Sequence, residues 1–120
     1  MRRKHHQLHV WQQAIVLVKS VYEATAKFPK EELYLLTSQM RRCAVSVPSN
    51  IAEGAARSGN KEFLQFLGIA RGSLSELETQ TLIAKELGYL PDDGALIEQI
   101  DNVFGLLGGL INRLRKTPSN

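Results

Sequence analysis

Apolar residues recur at intervals of three and four along four segments of this sequence, and that spacing constrains the fold more than any other feature. In the first segment they are Trp11, Ala14, Ile15, Val18, Val21, Tyr22 and Thr25 or Phe28. Residues spaced in this way lie on one side of an α-helix and form a stripe that has to be buried. No alternating strand pattern separates the segments. The sequence therefore predicts an all-α protein.

Short turns divide the chain into four predicted helices. Their approximate bounds are 9–27, 31–57, 60–88 and 94–116. Long helices joined by short connections pack as an antiparallel up-down-up-down bundle. With 120 residues and 43% hydrophobic residues, the chain is large enough for one domain with its own core. We therefore predict a single four-helix-bundle domain over 1–120.

Prolines, glycines and acidic residues give the predicted helix ends. Pro29 separates the first two helices, because proline lacks an amide hydrogen and disfavours helical angles in the residue before it. Pro48 is predicted to kink the second helix without ending it, since the apolar spacing stays in phase across it. Gly59 is predicted to close that helix, and Asp92 and Asp93 to cap the fourth.

Three glycines lie inside the predicted fourth helix, at Gly105, Gly108 and Gly109. A glycine within a helix costs about 1 kcal/mol relative to alanine, so its presence needs a reason. We predict that these three mark a close approach between helices.

The sequence carries no membrane or disulfide signal. It has no run of about eighteen apolar residues, and His5 and His6 stand where a signal peptide would need its apolar stretch. A cytoplasmic location is therefore predicted. The single cysteine, Cys43, cannot form an intrachain disulfide and is predicted to be a buried, inert thiol.

Basic residues gather at one predicted end of the bundle, although the net charge is only +3. This end holds eight basic residues against Glu62 alone: Arg2, Arg3, Lys4, Arg57, Lys61, Arg113, Arg115 and Lys116. Such a surface attracts phosphate backbones with little sequence preference. The alternative is that the basic residues ending the fourth helix merely complement its dipole.

A second apolar stripe lies on the flank of the second helix, at Tyr34, Val45, Ala52 and Ala56. It either widens the core face or forms a subunit interface, since a surplus apolar patch commonly leads to self-association. A similar flank on the third helix consists of Leu64 and Leu82, with Arg71 and Ser75 between them.

Two charges on the second helix need partners if they are buried. Arg42 and Glu53 are too far apart to pair on one helix. We expect them to be exposed or to meet Glu76, Glu78 or Arg71 of the third helix or a neighbouring subunit.

Catalytic and metal-binding patterns are not found in the sequence. His5, His6 and His9 lie in a leader that is expected to fray, so no specific metal site is predicted there. Glu76 and Glu78 are two residues apart on a helix and point to different sides, which makes them a poor carboxylate pair. No phosphate-binding glycine loop or nucleophile elbow occurs. The chain is predicted to be non-enzymatic and to need no cofactor.

Two long segments resemble a known family. The stretch LTSQMRRCAVSVPSNIAEG, over 36–54, resembles the signature of the 23S rRNA-intervening-sequence protein family, and FLQFLGIARGSLSELE, over 63–78, resembles its second motif. Matches around Val10, Phe28 and Leu87 extend the likeness over nearly the whole chain. The matching positions are Arg41, Arg42, Ser46, Pro48, Asn50, Glu53, Gly54, Arg71, Gly72, Ser73, Glu76 and Glu78.

This resemblance implies a bundle assembled as a ring, typically a homopentamer, that binds nucleic acid and has no catalytic activity. Relatives that resemble the accessory variability determinant of diversity-generating retroelements imply a reverse transcriptase and its template RNA as partners. We therefore expect a ring-forming protein whose basic end contacts RNA or DNA. The alternative is a protein-docking scaffold whose basic end meets an acidic protein such as a reverse transcriptase.

Overall fold

The computed structural model describes residues 3–117, and within them the chain is all-α, as predicted, with no β-strand. Its four long helices are α1 (His9–Thr25), α2 (Ser38–Ala55), α3 (Asn60–Glu86) and α4 (Ala95–Lys116). They pack around a common hydrophobic core in a body measuring 48 × 25 × 21 Å. None of the helices in these residues is both long and apolar enough to cross a membrane.

The predicted apolar stripes supply most of the buried core. Its members include Ala14, Val21, Met40, Ala44, Val47, Ile51, Phe63, Leu67, Ala70, Leu74, Leu77, Ile100, Val103 and Leu107. The prediction was wrong in α1, where Ile15 and Tyr22 are 45% and 43% exposed while Leu17 is buried. Two apolar stripes run side by side on this helix, one residue apart, and the core takes the one that contains Leu17.

The second helix is shorter than predicted, because residues 31–37 do not continue it as an α-helix. Lys30–Glu32 forms a 3-10 turn and Leu33–Thr37 forms a π-helix. Leu35 within that π-helix has non-helical angles of φ −119° and ψ −107°. The regular helix therefore begins only at Ser38. It then continues through the buried Pro48, as predicted.

The carboxylate of Glu32 holds this irregular segment in place. One of its oxygens accepts a hydrogen bond from the Leu36 amide at 3.3 Å, and the other accepts one from the Tyr89 hydroxyl at 3.0 Å. The hydrogen bond to Glu32 raises the pKa of Tyr89, and burial adds to the rise. The Tyr89 ring also packs against Phe28, with 5.3 Å between ring centroids. Glu32 thus joins the segment before α2 to the segment after α3.

The helix ends agree only in part with the predicted caps. Gly59 does not close α2 in a left-handed conformation: its φ is −132°, and it stands at the start of α3. Gly94, with φ +68°, directly precedes α4. The Asp93 carboxylate accepts a hydrogen bond from the Ala95 amide at 3.1 Å, as a cap would, whereas Asp92 makes no such bond.

A close helix approach occurs at Gly54 and not at the glycines of α4. A Cβ atom built on Gly54 would lie 2.8 Å from Phe66 Cβ and 2.9 Å from Phe63 Cδ1. A Cβ built on Gly105, Gly108 or Gly109 would meet no atom within 4 Å. The prediction for α4 was therefore wrong: Gly105 and Gly109 line a cleft towards the start of α1, but no atom approaches their Cβ positions closely.

Candidate functional site

The basic end of the molecule brings together residues from three parts of the chain. We define it as Arg3, Lys4, Arg57, Lys61, Arg113, Arg115 and Lys116, all of which are exposed. The Lys4 ammonium lies 5.4 Å from the centroid of the Phe63 ring, which sets the leader against the start of α3. A cleft of about 240 Å³ between the leader, the start of α1 and α4 is lined in part by His9 and Arg113. Arg2, also predicted here, lies outside the described residues.

One of these cations is already paired. The Arg57 guanidinium forms an ion pair of 2.9 Å with the Glu53 carboxylate, one turn earlier on the chain, and stacks over Phe66 at 4.9 Å. Both charged side chains are about half exposed, so the pair contributes under about 1 kcal/mol to stability. The sequence suggested that Glu53, if buried, would need a partner from α3 or another subunit. Because Glu53 is exposed and paired with Arg57, it needs neither. The negative charge of Glu53 also makes the basic end less positive than the count of residues in the sequence indicated.

The leader is ordered against the helices. Lys4–Gln7 forms a 3-10 turn, in which His6 Nδ1 accepts a hydrogen bond of 3.0 Å from the Arg3 amide. The side-chain amide of Gln12 donates to the His6 carbonyl at 2.8 Å. The His5 and His6 rings pack on Trp11 with centroids 5.0 and 5.3 Å away. The expectation of a frayed leader was wrong for these residues, because Trp11 gives them a surface to pack on.

The electrostatics of this cluster oppose protonation of His5. Partial burial lowers the pKa of His5, and the neighbouring His6 and Arg3 lower it further because like charges repel. Within residues 3–117, no group of three or more His, Cys, Asp or Glu side chains is placed to hold a metal ion.

Motif residues on α2 and α3 form a polar contact inside the chain. The Ser46 and Ser73 hydroxyls are 2.8 Å apart, and the Asn50 side-chain amide donates to both the carbonyl and the hydroxyl of Ser46, at 2.9 and 3.0 Å. All three residues are half-buried. Ser46, which the sequence assigned to a motif or interface, thus joins α2 to α3 of the same chain, and Asn50, assigned in the same way, bonds to Ser46 within α2.

The two adjacent arginines of α2 have different environments. The Arg41 guanidinium donates to the Thr25 hydroxyl at 2.9 Å and stacks on the Tyr22 ring at 4.6 Å, which ties α2 to α1. Arg42 is exposed, and within residues 3–117 it donates to the Ser38 hydroxyl on its own helix, at 3.2 Å. Arg41 is thus fixed to its own chain, whereas Arg42 is available for an outside partner.

An open apolar groove runs along the surface between α1 and α2. Two adjoining clefts of about 490 and 290 Å³ share Val45, and we call them together the α1–α2 groove. Its lining includes Trp11, Ile15, Val18, Tyr22, Leu33, Tyr34, Arg41, Arg42, Val45, Pro48, Ser49 and Ala52. Tyr34 is 87% exposed and Val45 41% exposed, so the predicted second stripe does not widen the core. Ala56 is exposed one turn beyond Ala52.

The outer surface of α3 carries the remaining predicted residues and some that sequence reasoning missed. Arg71, Ser75 and Glu76 are exposed, and Glu78 is half-buried. Ile69 and Ile83, which were not predicted to matter, are 52% and 45% exposed. Each isoleucine lies seven residues from Glu76, on the polar side of the helix. This spacing was a signal in the sequence that the three residues share one side of α3.

Cys43 is half-buried between α2 and α3. Burial raises its thiol pKa, although a hydrogen bond of 3.5 Å from the Gln80 side-chain amide acts in the opposite direction. A raised pKa leaves little of the reactive thiolate at neutral pH. This environment agrees with the predicted inert thiol, although the residue is less buried than expected.

Comparison with known proteins points to one family. A family model described as 23S rRNA-intervening sequence protein matches residues 6–109, which include α1, α2, α3 and most of α4. Comparison with curated proteins gives no significant match.

Proposed function

This chain belongs to the 23S rRNA-intervening sequence protein family, and from that premise we propose that it is a non-enzymatic cytoplasmic protein that contacts nucleic acid through its basic end. We further propose that it assembles with copies of itself into a ring, a homopentamer, built from antiparallel bundles. The observation that carries the nucleic-acid role is the collection of exposed cations at one end of the molecule.

The contacts between helices support the antiparallel arrangement. Along α2, the residues Gly54, Ser46 and Cys43 meet Phe66, Ser73 and Gln80 of α3 in turn, so the two helices run in opposite directions. The start of α1 and the later part of α4 line one cleft. These contacts support an arrangement in which the helix ends that carry the basic residues lie on the same side of the molecule.

The charge distribution favours phosphate as the ligand of this end. Of the seven described cations, Arg57 has Glu53 as an ion-pair partner, while Lys61, Arg113, Arg115 and Lys116 form no ion pair within residues 3–117. Arg113, Arg115 and Lys116 project from the last turn of α4, where cations also complement the helix dipole. In a ring these ends line one rim, and a phosphate backbone that releases its counterions there gains affinity without base recognition.

Replacement of Arg113, Arg115 and Lys116 by glutamine tests the proposal. We expect the variant to bind labelled RNA or DNA about tenfold or more weakly at 0.1 M salt, with a shallower dependence of affinity on salt. The matched control replaces Lys27, Lys30 and Lys85, three exposed lysines outside the basic end, with glutamine and should bind as the parent does. Absent binding in the parent chain, or binding that does not depend on salt, would reject the nucleic-acid role.

The α1–α2 groove supports self-association. It leaves Ile15, Tyr22, Tyr34 and Val45 exposed along one side of the chain. An exposed apolar surface of this kind commonly marks a contact with another protein. A second copy is the partner that family membership favours.

A second candidate function is a protein-docking scaffold, for example for a reverse transcriptase. The observation that favours it is the combination of Tyr22, Tyr34 and Arg42 at one end of the groove, since tyrosine and arginine are enriched at protein interfaces. Nuclease treatment of the protein purified from cells separates the two candidates. A partner that survives treatment supports the scaffold, and a partner that is lost supports the nucleic-acid role.

A further inference from the structure

The outer surface of α3 carries a stripe with the spacing of a helix-packing seam. We call Gln65, Ile69, Gly72, Glu76, Thr79 and Ile83 the α3 outer stripe; they follow one another at intervals of four and three residues, and all are exposed. A Cβ atom built on Gly72 would meet no atom within 4 Å, so the middle of the stripe is open. Intervals of four and three keep residues on one side of a helix facing a partner. Glu76 stands at the edge of the stripe towards α2, where it also acts on the Cys43 thiol of the same chain.

The α1–α2 groove has the complementary shape. Its α1 wall consists of Trp11, Ile15, Val18 and Tyr22, and its α2 wall of Arg42, Val45, Ser49 and Ala52, at the same intervals of four and three. Serine, valine and alanine on the α2 wall leave room for a larger side chain such as isoleucine. The groove can therefore receive the ridge of another helix.

The two surfaces also stand at matching heights along the bundle. Ser73 contacts Ser46, and Gln80 contacts Cys43, which aligns α3 with α2 inside the chain. On this alignment Ile69 stands level with Asn50, within about 3 Å of the height of Ala52 at 1.5 Å per residue. Glu76 lies between Ser73 and Gln80, so its height falls between those of Ser46 and Cys43, within about one turn of Arg42. A neighbouring copy related by rotation, with no shift along the helices, would present Ile69 to Ala52 and Glu76 to Arg42.

We propose that the α3 outer stripe of one copy packs into the α1–α2 groove of the next copy. The contact joins two different faces, so in each pair one copy keeps its groove free and the other keeps its stripe free, and further copies can add until the ring closes. Glu76 then meets Arg42, which forms no ion pair within residues 3–117. The inference rests on the proposed self-association and specifies the surfaces that carry it.

Cysteine cross-linking between different chains tests this pairing of faces. In a Cys43→Ala background, Ala52→Cys and Ile69→Cys chains are prepared separately, mixed, allowed to exchange and oxidised. We expect a disulfide-linked dimer from the mixture and none from either chain alone, because groove meets stripe and neither surface meets itself. The matched control is Leu82→Cys, a residue on α3 with similar exposure, 48% against 52%, on another side of the helix. Mixed with Ala52→Cys, it should give no dimer.

A second measurement is needed because the cross-link could fail to form when the two cysteines are close but poorly oriented for a disulfide. Ile69→Asp should weaken self-association at least about tenfold in light scattering, whereas Leu82→Asp should leave it unchanged. Circular dichroism checks that both variants fold. An oligomer in which Ala52→Cys cross-links to itself, or in which Leu82→Asp and not Ile69→Asp disrupts assembly, overturns this pairing while self-association stands. A monomeric parent chain overturns both the pairing of the two faces and the proposed self-association.

Discussion

Gly54 of α2 approaches Phe66 of α3 so closely that a Cβ atom at Gly54 would lie 2.8 Å from Phe66 Cβ. Phe66 in turn supports the Arg57 guanidinium, whose centre lies 4.9 Å from the ring centroid. The approach therefore fixes the turn between α2 and α3, which carries Arg57, and the first turn of α3, which carries Lys61. The close packing at Gly54 thus helps to position the basic end, which is the proposed phosphate-binding surface.

Replacing Gly54 with alanine should destabilise the fold. The added methyl group collides with Phe63 and Phe66, and overpacking of this kind costs about 1–3 kcal/mol. Gly105→Ala is the matched control: it lies inside α4 with no atom near its Cβ position, so it should stabilise the chain by about 0.5–1 kcal/mol. Urea unfolding measures both, and equal effects of the two substitutions would contradict the close approach.

The contact between Ser46 and Ser73 should give a measurable coupling between α2 and α3. In a double-mutant cycle with Ser46→Ala and Ser73→Ala, we expect a coupling free energy of about 0.5–1.5 kcal/mol, because the hydroxyls are half-buried and bonded to each other. Ser49→Ala is the control, since its hydroxyl bonds only to the Val45 carbonyl on its own helix. A coupling near zero would show that the hydroxyls act independently.

Arg41→Lys should destabilise the chain although it preserves the charge. The guanidinium donates to Thr25 and stacks on Tyr22, and an ammonium cannot reproduce both contacts, so a loss of about 1–2 kcal/mol is expected. Arg42→Lys should change the free energy of unfolding by less than about 0.5 kcal/mol, because Arg42 is exposed. Thermal unfolding of the two variants distinguishes them, and a similar small effect of both would reject the anchoring role of Arg41.

Acidification should loosen the leader. The pKa of His5 in the folded chain lies below its usual value of 6.5, so between these two values the unfolded chain binds more protons and the fold loses stability as the pH falls. Fluorescence of Trp11, the single tryptophan, should change as the pH falls below about 6.5. His5→Gln should reduce that change, and His9→Gln, whose ring does not pack on Trp11, should not.

The sequence predicted the four helices and most of the core, because apolar spacing determines which side of a long helix is buried. It did not distinguish the two adjacent stripes of α1, since both are apolar and only the packing of the whole bundle decides between Leu17 and Ile15. The irregular segment around Leu35 carries no proline or glycine and gave no signal. The pair of Glu53 and Arg57, by contrast, follows from their four-residue spacing and could have been predicted.

The sequence predicted which residues belong to the basic end, but not how the leader packs beside them. The basic residues were identified from their positions near helix ends, which the turns define. The ordering of the leader was missed, because it depends on the contact of His5 and His6 with Trp11, which no local spacing indicates. Ile69 and Ile83 were not predicted as part of an interaction surface, because single apolar residues on a polar face are common. Only the structure shows that both are exposed.

The mass of the protein in solution shows whether the chain assembles with copies of itself. Size-exclusion chromatography with light scattering should give a single species of several times the 13.4 kDa of one chain, and five times for the proposed pentamer. A species of 13.4 kDa at concentrations well above those in the cell would contradict the account, because Tyr34, Val45 and the α3 outer stripe would then face only water.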